Sequence, residues 1–118
     1  DMATTTLDTK IKTTLAAAQF ANCVVLCKGP ETVIAHPDGT ALVHLSTQHR
    51  AAPWLATAGS GDVLAGFITG LMARGFEPLR AAGHATWLHA ECARVFGPGL
   101  IAEDLPEALP EVFRALTL

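Results

Sequence analysis

Hydrophobic residues recur every three or four positions along four stretches of the chain, which is the spacing of a helix with one apolar face. The predicted helices span about residues 7–20, 62–75, 78–96 and 104–116. Gly75 suits the end of the second helix, and Pro78 suits the first position of the third. Pro110 divides the last stretch, which therefore predicts one or two short helices. Residues 1–6 show no periodicity and are predicted to be an irregular start.

Three shorter apolar runs predict β-strands. Residues 23–27 (CVVLC) form a continuous apolar run closed by Lys-Gly-Pro, which favours a strand buried on both faces, as in a parallel sheet. Residues 32–36 and 41–45 flank the sequence Pro-Asp-Gly-Thr, in which proline presets the first turn position and glycine accepts a positive φ. These two runs predict a β-hairpin, and the mixture of strands and helices predicts an α/β fold.

The composition is typical of one compact domain inside the cell. The chain has 118 residues, of which 50% are hydrophobic and 16% charged, with a formal net charge of −3. Disordered chains carry fewer apolar residues, and nucleic-acid binders need a basic surface, so the composition disfavours both classes. No run approaches the ~20 apolar residues of a membrane span, and no export signal is visible, which predicts a cytoplasmic protein without a membrane partner.

Small residues and cysteines add two structural predictions. Gly66 and Gly70 lie one turn apart on a predicted helix, which favours close packing of that helix on the sheet. The cysteines, Cys23, Cys27 and Cys92, are few and odd in number, which argues against a disulfide framework. All three are predicted to be thiols of the hydrophobic core.

The histidines do not form a metal-binding pattern. His84 and His89 lie five residues apart on one predicted helix, so their side chains point about 140° away from each other. His36 and His44 could face each other across the predicted hairpin, but no third ligand accompanies them. The sequence therefore predicts no structural metal site.

The strongest chemical signal is the segment 57–62 (TAGSGD), which opens a helix with an apolar face. Gly59 and Gly61, on either side of Ser60, permit a tight turn and leave backbone N–H groups uncovered at the positive end of the helix dipole. This predicts an anion site that could stabilise charge on a transferring phosphoryl group. Asp62 stands beside it, placed to accept a proton from an attacking hydroxyl. The alternative is structural: an aspartate favouring a helix N-terminus after turn glycines.

A second segment follows the predicted strand 23–27. In open α/β sheets, ligands bind beyond the carboxyl ends of strands, so a lysine and exposed backbone at this place are suited to a nucleotide phosphate. The residues concerned are Lys28, Gly29, Pro30, Glu31 and Thr32. The alternative is a turn with a solvated lysine. Neither segment matches the P-loop or the dinucleotide fingerprint, because no Gly-Lys-Ser/Thr follows and Leu64 replaces the third glycine.

Four segments together resemble the C-terminal portion of the ADP-dependent NAD(P)H-hydrate dehydratase family, repair enzymes often fused to an NAD(P)H-hydrate epimerase. The segments are 24–39 (VVLCKGPETVIAHPDG), 52–66 (APWLATAGSGDVLAG), 87–91 (WLHAE) and 97–105 (GPGLIAEDL). The resemblance runs from about residue 15 to the C-terminus. It implies the C-terminal portion of a three-layer, ribokinase-like α/β fold, with residues 1–118 as a partial domain whose N-terminal half is absent.

The resemblance also implies a reaction and roles. The family restores hydrated NADH or NADPH in a dehydration driven by ADP or ATP, in which the hydroxyl is phosphorylated and then eliminated as phosphate. Asp62 would contact the hydrate and act as base, and Gly59, Ser60 and Gly61 would form the anion hole, with Gly61 also near the nucleotide. The nucleotide-contacting stretch would be Lys28, Gly29, Pro30, Glu31 and Thr32. Mg²⁺ would accompany the phosphates, with no metal ligand assigned in this chain.

The chain departs from the family pattern at a few places. Cys27 stands where the family more often keeps an aliphatic residue, and residues 46–51 lack the asparagine and glycine commonly found before the motif. Because a partial domain exposes an apolar sheet edge or face, a homo-oligomer is expected, and the isolated fragment is expected to be inactive or nearly so. Two other functions stay open: a small-molecule kinase for a vitamin or sugar, and a non-catalytic nucleotide-binding module.

Overall fold

The computed structural model describes residues 2–47 and 51–117, which fold into four α-helices and one three-stranded sheet. In chain order the elements are α1 (Met2–Ala21), β1 (Val25–Cys27), β2 (Glu31–Ala35), β3 (Ala41–Leu45), a 3-10 turn (Pro53–Leu55), α2 (Ser60–Ala73), α3 (Pro78–Phe96) and α4 (Asp104–Leu116). The segment 46–51, which departs from the family pattern, lies partly outside the described residues, since 48–50 are not among them.

The predicted hairpin is confirmed as β2 and β3. The strands pair antiparallel, with Thr32 opposite His44. The turn between them is closed by the amide of Thr40 donating to Asp38 Oδ1 at 2.8 Å, and Gly39 adopts a φ of +97°. His36 does not face His44 across the hairpin as suggested. The His36 N–H donates to the carbonyl of Thr40, and the pairing of β2 with β3 places His44 opposite Thr32.

The prediction of a doubly buried parallel strand at 23–27 is wrong. β1 covers Val25–Cys27, pairs antiparallel with β2, and ends on an exposed residue. A parallel partner would need a long crossover, whereas β1 connects to β2 through a short turn that forces the antiparallel arrangement. The most buried strand of the described sheet is β2, in which the four residues from Thr32 to Ala35 are buried and against which α1 and α3 pack.

The helices match the predicted positions, with one correction. α1 begins at Met2, so the irregular start is wrong for residues 2–6, although threonines are weak helix formers. Of the one or two helices predicted at 104–116, the structure shows one, α4, which continues through Pro110. At the end of α2, Gly75 has a φ of +102°, its N–H donates to the Met72 carbonyl, and the N–H of Phe76 donates to the Leu71 carbonyl. This hydrogen-bonding pattern explains why α2 stops where glycine occurs.

The main core lies between α3 and α4 and against the loop before α2. Its buried members are Ala52, Cys92, Ala93, Leu100, Leu105, Ala108 and Val112. Alanines line the buried side of α3, which lets neighbouring helices approach closely. Trp54 and Trp87 are partly buried against this cluster. The core therefore fixes the loop that precedes α2 on the side of α3.

Two glycines of α2 and two of the three cysteines lie in more open surroundings than predicted. A β-carbon on Gly66 or Gly70 would meet nothing within 4 Å among the described residues, so the prediction that both pack tightly on the sheet is wrong. Cys23 and Cys27 are exposed, contrary to prediction, and only Cys92 is buried as expected. Burial, and then the neighbouring Glu91, raises the pKa of the Cys92 thiol to about 11, so this thiol stays protonated at neutral pH.

Several large apolar side chains lie at the surface. Phe20 is 95% exposed, and the outward residues of β3, among them Leu45, are also exposed. The homo-oligomer stays a prediction. Within the described segments, none of the helices combines the length and hydropathy needed to cross a bilayer.

Candidate active site

A cavity of about 580 Å³ opens where the β1–β2 turn meets the first turn of α2. Its wall comes from residues 28–30 and 32, the end of β3, the loop before α2, the start of α2 and the middle of α3. Cavities of this size accommodate small-molecule ligands. Two segments that are separated by about 30 residues in the sequence thus face the same space, as the positions of Lys28 and Gly61 show.

Gly59 is the N-cap of α2 and takes a left-handed conformation with a φ of +88°. A β-carbon there would come within 3.3 Å of the Ala102 side chain, so both the backbone angle and the close neighbour favour glycine. Its carbonyl accepts from the Val63 N–H at 3.2 Å and so starts the helix. Gly59 therefore sets the direction in which the first turn points.

The first turn of α2 leaves two backbone donors open. The N–H groups of Gly61 and Asp62 donate to no acceptor among residues 2–47 and 51–117. Ser60 differs, because its N–H donates to the Thr57 carbonyl at 3.3 Å and its hydroxyl donates to the Leu55 carbonyl at 2.6 Å. The donors available to an anion are therefore those of Gly61 and Asp62, while Ser60 holds the preceding loop.

The Lys28 ammonium lies directly over Gly61. A β-carbon on Gly61 would overlap Lys28 Nζ, so glycine at this position makes room for the ammonium. The ammonium and the open end of α2 both carry positive charge. Two positive groups held together at the edge of a cavity form a site that favours an anionic ligand, and phosphate has the matching charge and acceptor oxygens.

The backbone of the β1–β2 turn is braced by donors from three places. Lys10 of α1 donates from Nζ to the Lys28 carbonyl at 3.1 Å and also to the carbonyl of Glu31. Thr32 Oγ1 donates to the Gly29 carbonyl at 2.9 Å. The N–H of Ser46 donates to the carbonyl of residue 30 at 2.7 Å. All four carbonyls of residues 28–31 are thus occupied within the protein.

The predicted site residues do not all reach the cavity. Of the predicted nucleotide segment, the described structure places four residues in the cavity wall and leaves Glu31 out of it. From the helix motif, Ser60 and Gly61 line the wall. Asp62 is exposed on the first turn of α2, one residue beyond the wall as the structure describes it. Its carboxylate is therefore accessible and adjacent to the cavity rather than buried in it.

His89 is a cavity residue that the sequence analysis considered only as a metal ligand. It lies on α3, is 6% exposed, and its Nε2 is 2.8 Å from the Ser60 carbonyl. Burial lowers the pKa of His89, and the positive charge of Lys28 lowers it further, while the hydrogen bond to Ser60 opposes both. The imidazole is therefore neutral at neutral pH.

Comparison with known proteins identifies the family of this chain. A family model described as NAD(P)H-hydrate dehydratase matches residues 1–111. The chain belongs to that family. The bifunctional NAD(P)H-hydrate repair enzyme of Moorella thermoacetica is 43% identical over 108 residues, which cover 85% of this chain and 20% of the relative. The ADP-dependent (S)-NAD(P)H-hydrate dehydratase of Xanthomonas campestris pv. campestris is 36% identical over 107 residues, covering 86% of this chain and 36% of the relative.

Solved structures of the NAD(P)H-hydrate dehydratase family agree with the fold. The ADP/ATP-dependent enzyme from Bacillus subtilis, co-crystallized with ATP/Mg²⁺, superposes with a TM-score of 0.80 at 29% identity, covering 92% of this chain and 40% of that one. The predicted family and the predicted α/β fold class are confirmed. The chain spans about a fifth to about a third of the curated relatives above, and less than half of the Bacillus subtilis structure.

One missed cavity residue, His44, lies on the predicted hairpin and could have been found from the register of its strands. The His36 N–H pairs with the Thr40 carbonyl at the turn. Counting residue pairs outward along the two strands from there places His44 opposite Thr32. His44 and Thr32 both line the cavity. Lys10 could not have been found in this way, because its contact joins α1 to a turn 18 residues later and no sequence periodicity records it.

Replacing Lys10 with methionine is expected to weaken nucleotide binding by about tenfold, because the carbonyls of residues 28 and 31 lose their donor and the turn that carries Lys28 loosens. Isothermal titration of ADP into the full-length protein measures the change. Lys12→Met is the matched control, since Lys12 is exposed on the same helix. Equal ADP affinity in the Lys10 and Lys12 variants would show that the brace does not matter for binding.

Proposed function

We propose that this chain is the nucleotide-binding, aspartate-bearing C-terminal part of an ADP-dependent NAD(P)H-hydrate dehydratase with a ribokinase-like domain. Family membership supports the reaction class, and the relatives named above include an ADP-dependent and an ADP/ATP-dependent dehydratase. On this proposal the substrates are an adenine nucleotide and hydrated NADH or NADPH. The rest of the domain supplies the remainder of the hydrate pocket.

The observation that best supports the proposal is that the Lys28 ammonium lies against the first turn of α2, whose N–H groups are open, at the edge of the cavity. Lys28 provides a mobile charge, and the N–H groups of Gly61 and Asp62 provide fixed donors. Together they suit a phosphoryl group whose negative charge grows during transfer. Gly29, Pro30 and Thr32 extend the wall beside this point and are suited to contact the nucleotide.

Asp62 is the residue proposed to act as base. The hydrate hydroxyl attacks the terminal phosphorus of the nucleotide, its proton passes to the Asp62 carboxylate, and the bond from that phosphorus to the nucleotide's leaving oxygen breaks. The C–O bond of the new phosphate ester then breaks, so that phosphate leaves with the electron pair, and a proton passes from the neighbouring carbon to solvent as the double bond forms. This restores the nicotinamide double bond and yields phosphate. Asp62 fits the first step because it is exposed beside the open donors.

Mg²⁺ fits this site only as a companion of the nucleotide. Among the residues that the structure describes, no group of three or more His, Cys, Asp or Glu side chains could hold a metal ion. Mg²⁺ is commonly bound by substrate phosphates, water and one or two carboxylates. When bound, it would neutralise phosphate charge, and Asp62, the carboxylate in the first turn of α2, would be available to it on this side of the site.

Product analysis tests the proposed function. The full-length protein is incubated with hydrated NADH and ADP, and the near-ultraviolet absorbance of the reduced nicotinamide and free phosphate are both followed. Regain of the absorbance with equal release of AMP and phosphate is expected. A stable phosphorylated alcohol would instead identify a small-molecule kinase. Nucleotide binding without turnover of any offered hydroxyl substrate would identify a non-catalytic module.

A further inference from the structure

His89 and the open donor of Gly61 are connected through one peptide group. A carbonyl oxygen only accepts hydrogen bonds, so the contact of His89 Nε2 with the Ser60 carbonyl at 2.8 Å requires the proton to be on Nε2. The Ser60 carbonyl and the Gly61 N–H belong to the same trans peptide. They therefore point in opposite directions, and the Gly61 N–H points away from His89 and out of the start of α2.

This arrangement fixes the peptide and polarises it. A donor bound to the carbonyl of an amide strengthens the hydrogen bond that its N–H can give, because linked hydrogen bonds reinforce one another. The bond also ties α3 to the first turn of α2 across 29 residues of sequence. Rotation of the peptide about the helix start would break it, so the Gly61 N–H keeps its direction before any ligand arrives.

The imidazole is itself held from its other side. Its ring packs edge-on against Phe67 of α2, with centroids 6.0 Å apart and planes at 87°. Burial and the nearby Lys28 favour the neutral ring, which has a single N–H to donate. Phe67 therefore orients the His89 ring, and His89 in turn orients the peptide that follows Ser60. The neutral ring adds no second positive charge beside the Lys28 ammonium.

We propose that His89 is a positioning residue for phosphate binding: its Nε2–H sets the direction and donor strength of the Gly61 N–H. The proposal rests on the proposed function, since it assumes that a nucleotide phosphate accepts from that N–H. It assigns no contact between His89 and the reacting atoms.

Two substitutions separate the hydrogen bond from the bulk of the ring. His89→Phe keeps a planar ring and removes the donor, whereas His89→Gln places an amide N–H near the position of Nε2. We expect His89→Phe to weaken ADP binding to the full-length protein about fivefold and to raise KM for ADP more than it lowers kcat. His89→Gln should restore most of the affinity. His84→Phe is the control, because it makes the same chemical change at an exposed position of α3.

A spectroscopic signal tests positioning without a ligand. In protein labelled with ¹⁵N-glycine, the Gly61 amide peak is identified by its loss in Gly61→Ala. Loss of the His89 donor should move this peak upfield in the ligand-free protein, and His89→Gln should return it toward the wild-type position. If His89→Phe fails to fold, His89→Asn replaces it, because its shorter amide does not reach the Ser60 carbonyl.

The outcomes are distinct. A folded variant without the donor that keeps both the wild-type ADP affinity and the wild-type Gly61 shift would overturn the positioning role. Failure of the wild-type protein to bind ADP or ATP would overturn the proposed function, and with it the role given to His89. A moved Gly61 peak with weakened ADP binding, both reversed by glutamine, supports the proposal.

Discussion

Changing Asp62 to asparagine in the full-length protein is expected to lower turnover by about 10²-fold or more, while ADP binds at least as tightly as before. Asparagine has nearly the same shape but cannot take the proton of the attacking hydroxyl. The carboxylate also carries a negative charge beside the proposed phosphate position, so its removal eases binding of an anion. A large loss of kcat without a loss of affinity is therefore the signature of a base.

Single-turnover kinetics and titration calorimetry on the same preparation measure the two quantities. Asp8→Asn is the matched control, since it removes an exposed carboxylate from α1. Removing a carboxylate from the first turn of α2 also costs about 0.3–1 kcal/mol of helix stability, and a melting curve accounts for this part. Unchanged turnover in Asp62→Asn would leave the aspartate as a helix-terminus residue with no chemical role.

Changing Lys28 to methionine is expected to weaken ADP and ATP binding by about 10- to 100-fold, because a charge-assisted hydrogen bond to phosphate is worth about 1.5–3 kcal/mol. The stem of the side chain is kept, so the turn retains its packing. Removal of the ammonium also removes a positive charge that lowers the pKa of His89, and that pKa should therefore rise. Histidine ring resonances followed by NMR during a pH titration report this second effect.

Salt dependence sharpens the Lys28 test. In the wild-type protein, ADP affinity should fall as ionic strength rises, because salt screens the attraction between ammonium and phosphate. The Lys28→Met variant should show a shallower dependence. Lys12→Met, which removes an exposed lysine of α1, should behave as the wild type. Equal affinities and equal salt slopes in both variants would mean that the ammonium over Gly61 takes no part in nucleotide binding.

Local signals allowed most of the elements to be predicted from the sequence. Pro78 and the glycine after Phe96 mark the ends of α3, and the structure places those ends at the same residues. The Pro-Asp-Gly-Thr turn likewise identified the hairpin. The error at 23–27 came from reading apolar continuity as burial on both faces, whereas β1 is a short edge strand of the described sheet.

The sequence analysis selected two segments that the structure brings to one cavity, but not the contacts between them. Glycine spacing and the charge of residue 28 drew attention to this turn and this helix start, whose roles in binding stay a prediction. The sequence could not show that Lys28 lies over Gly61, that His89 reaches the Ser60 carbonyl, or that Lys10 braces the turn. These contacts join residues 18 to 33 positions apart, and tertiary packing rather than local periodicity sets such distances.

The internal hydrogen bonds of the β1–β2 turn have a consequence for the kinetics of recognition. With the carbonyls of residues 28–31 already satisfied, the turn has little conformational entropy left to lose on meeting a nucleotide. On the proposed function, binding needs no slow closing of this segment, so the complex should form at a rate set by encounter rather than by rearrangement of the turn. Such a rigid receptor distinguishes ligands by how well they fit it, not by how far it can adapt to them.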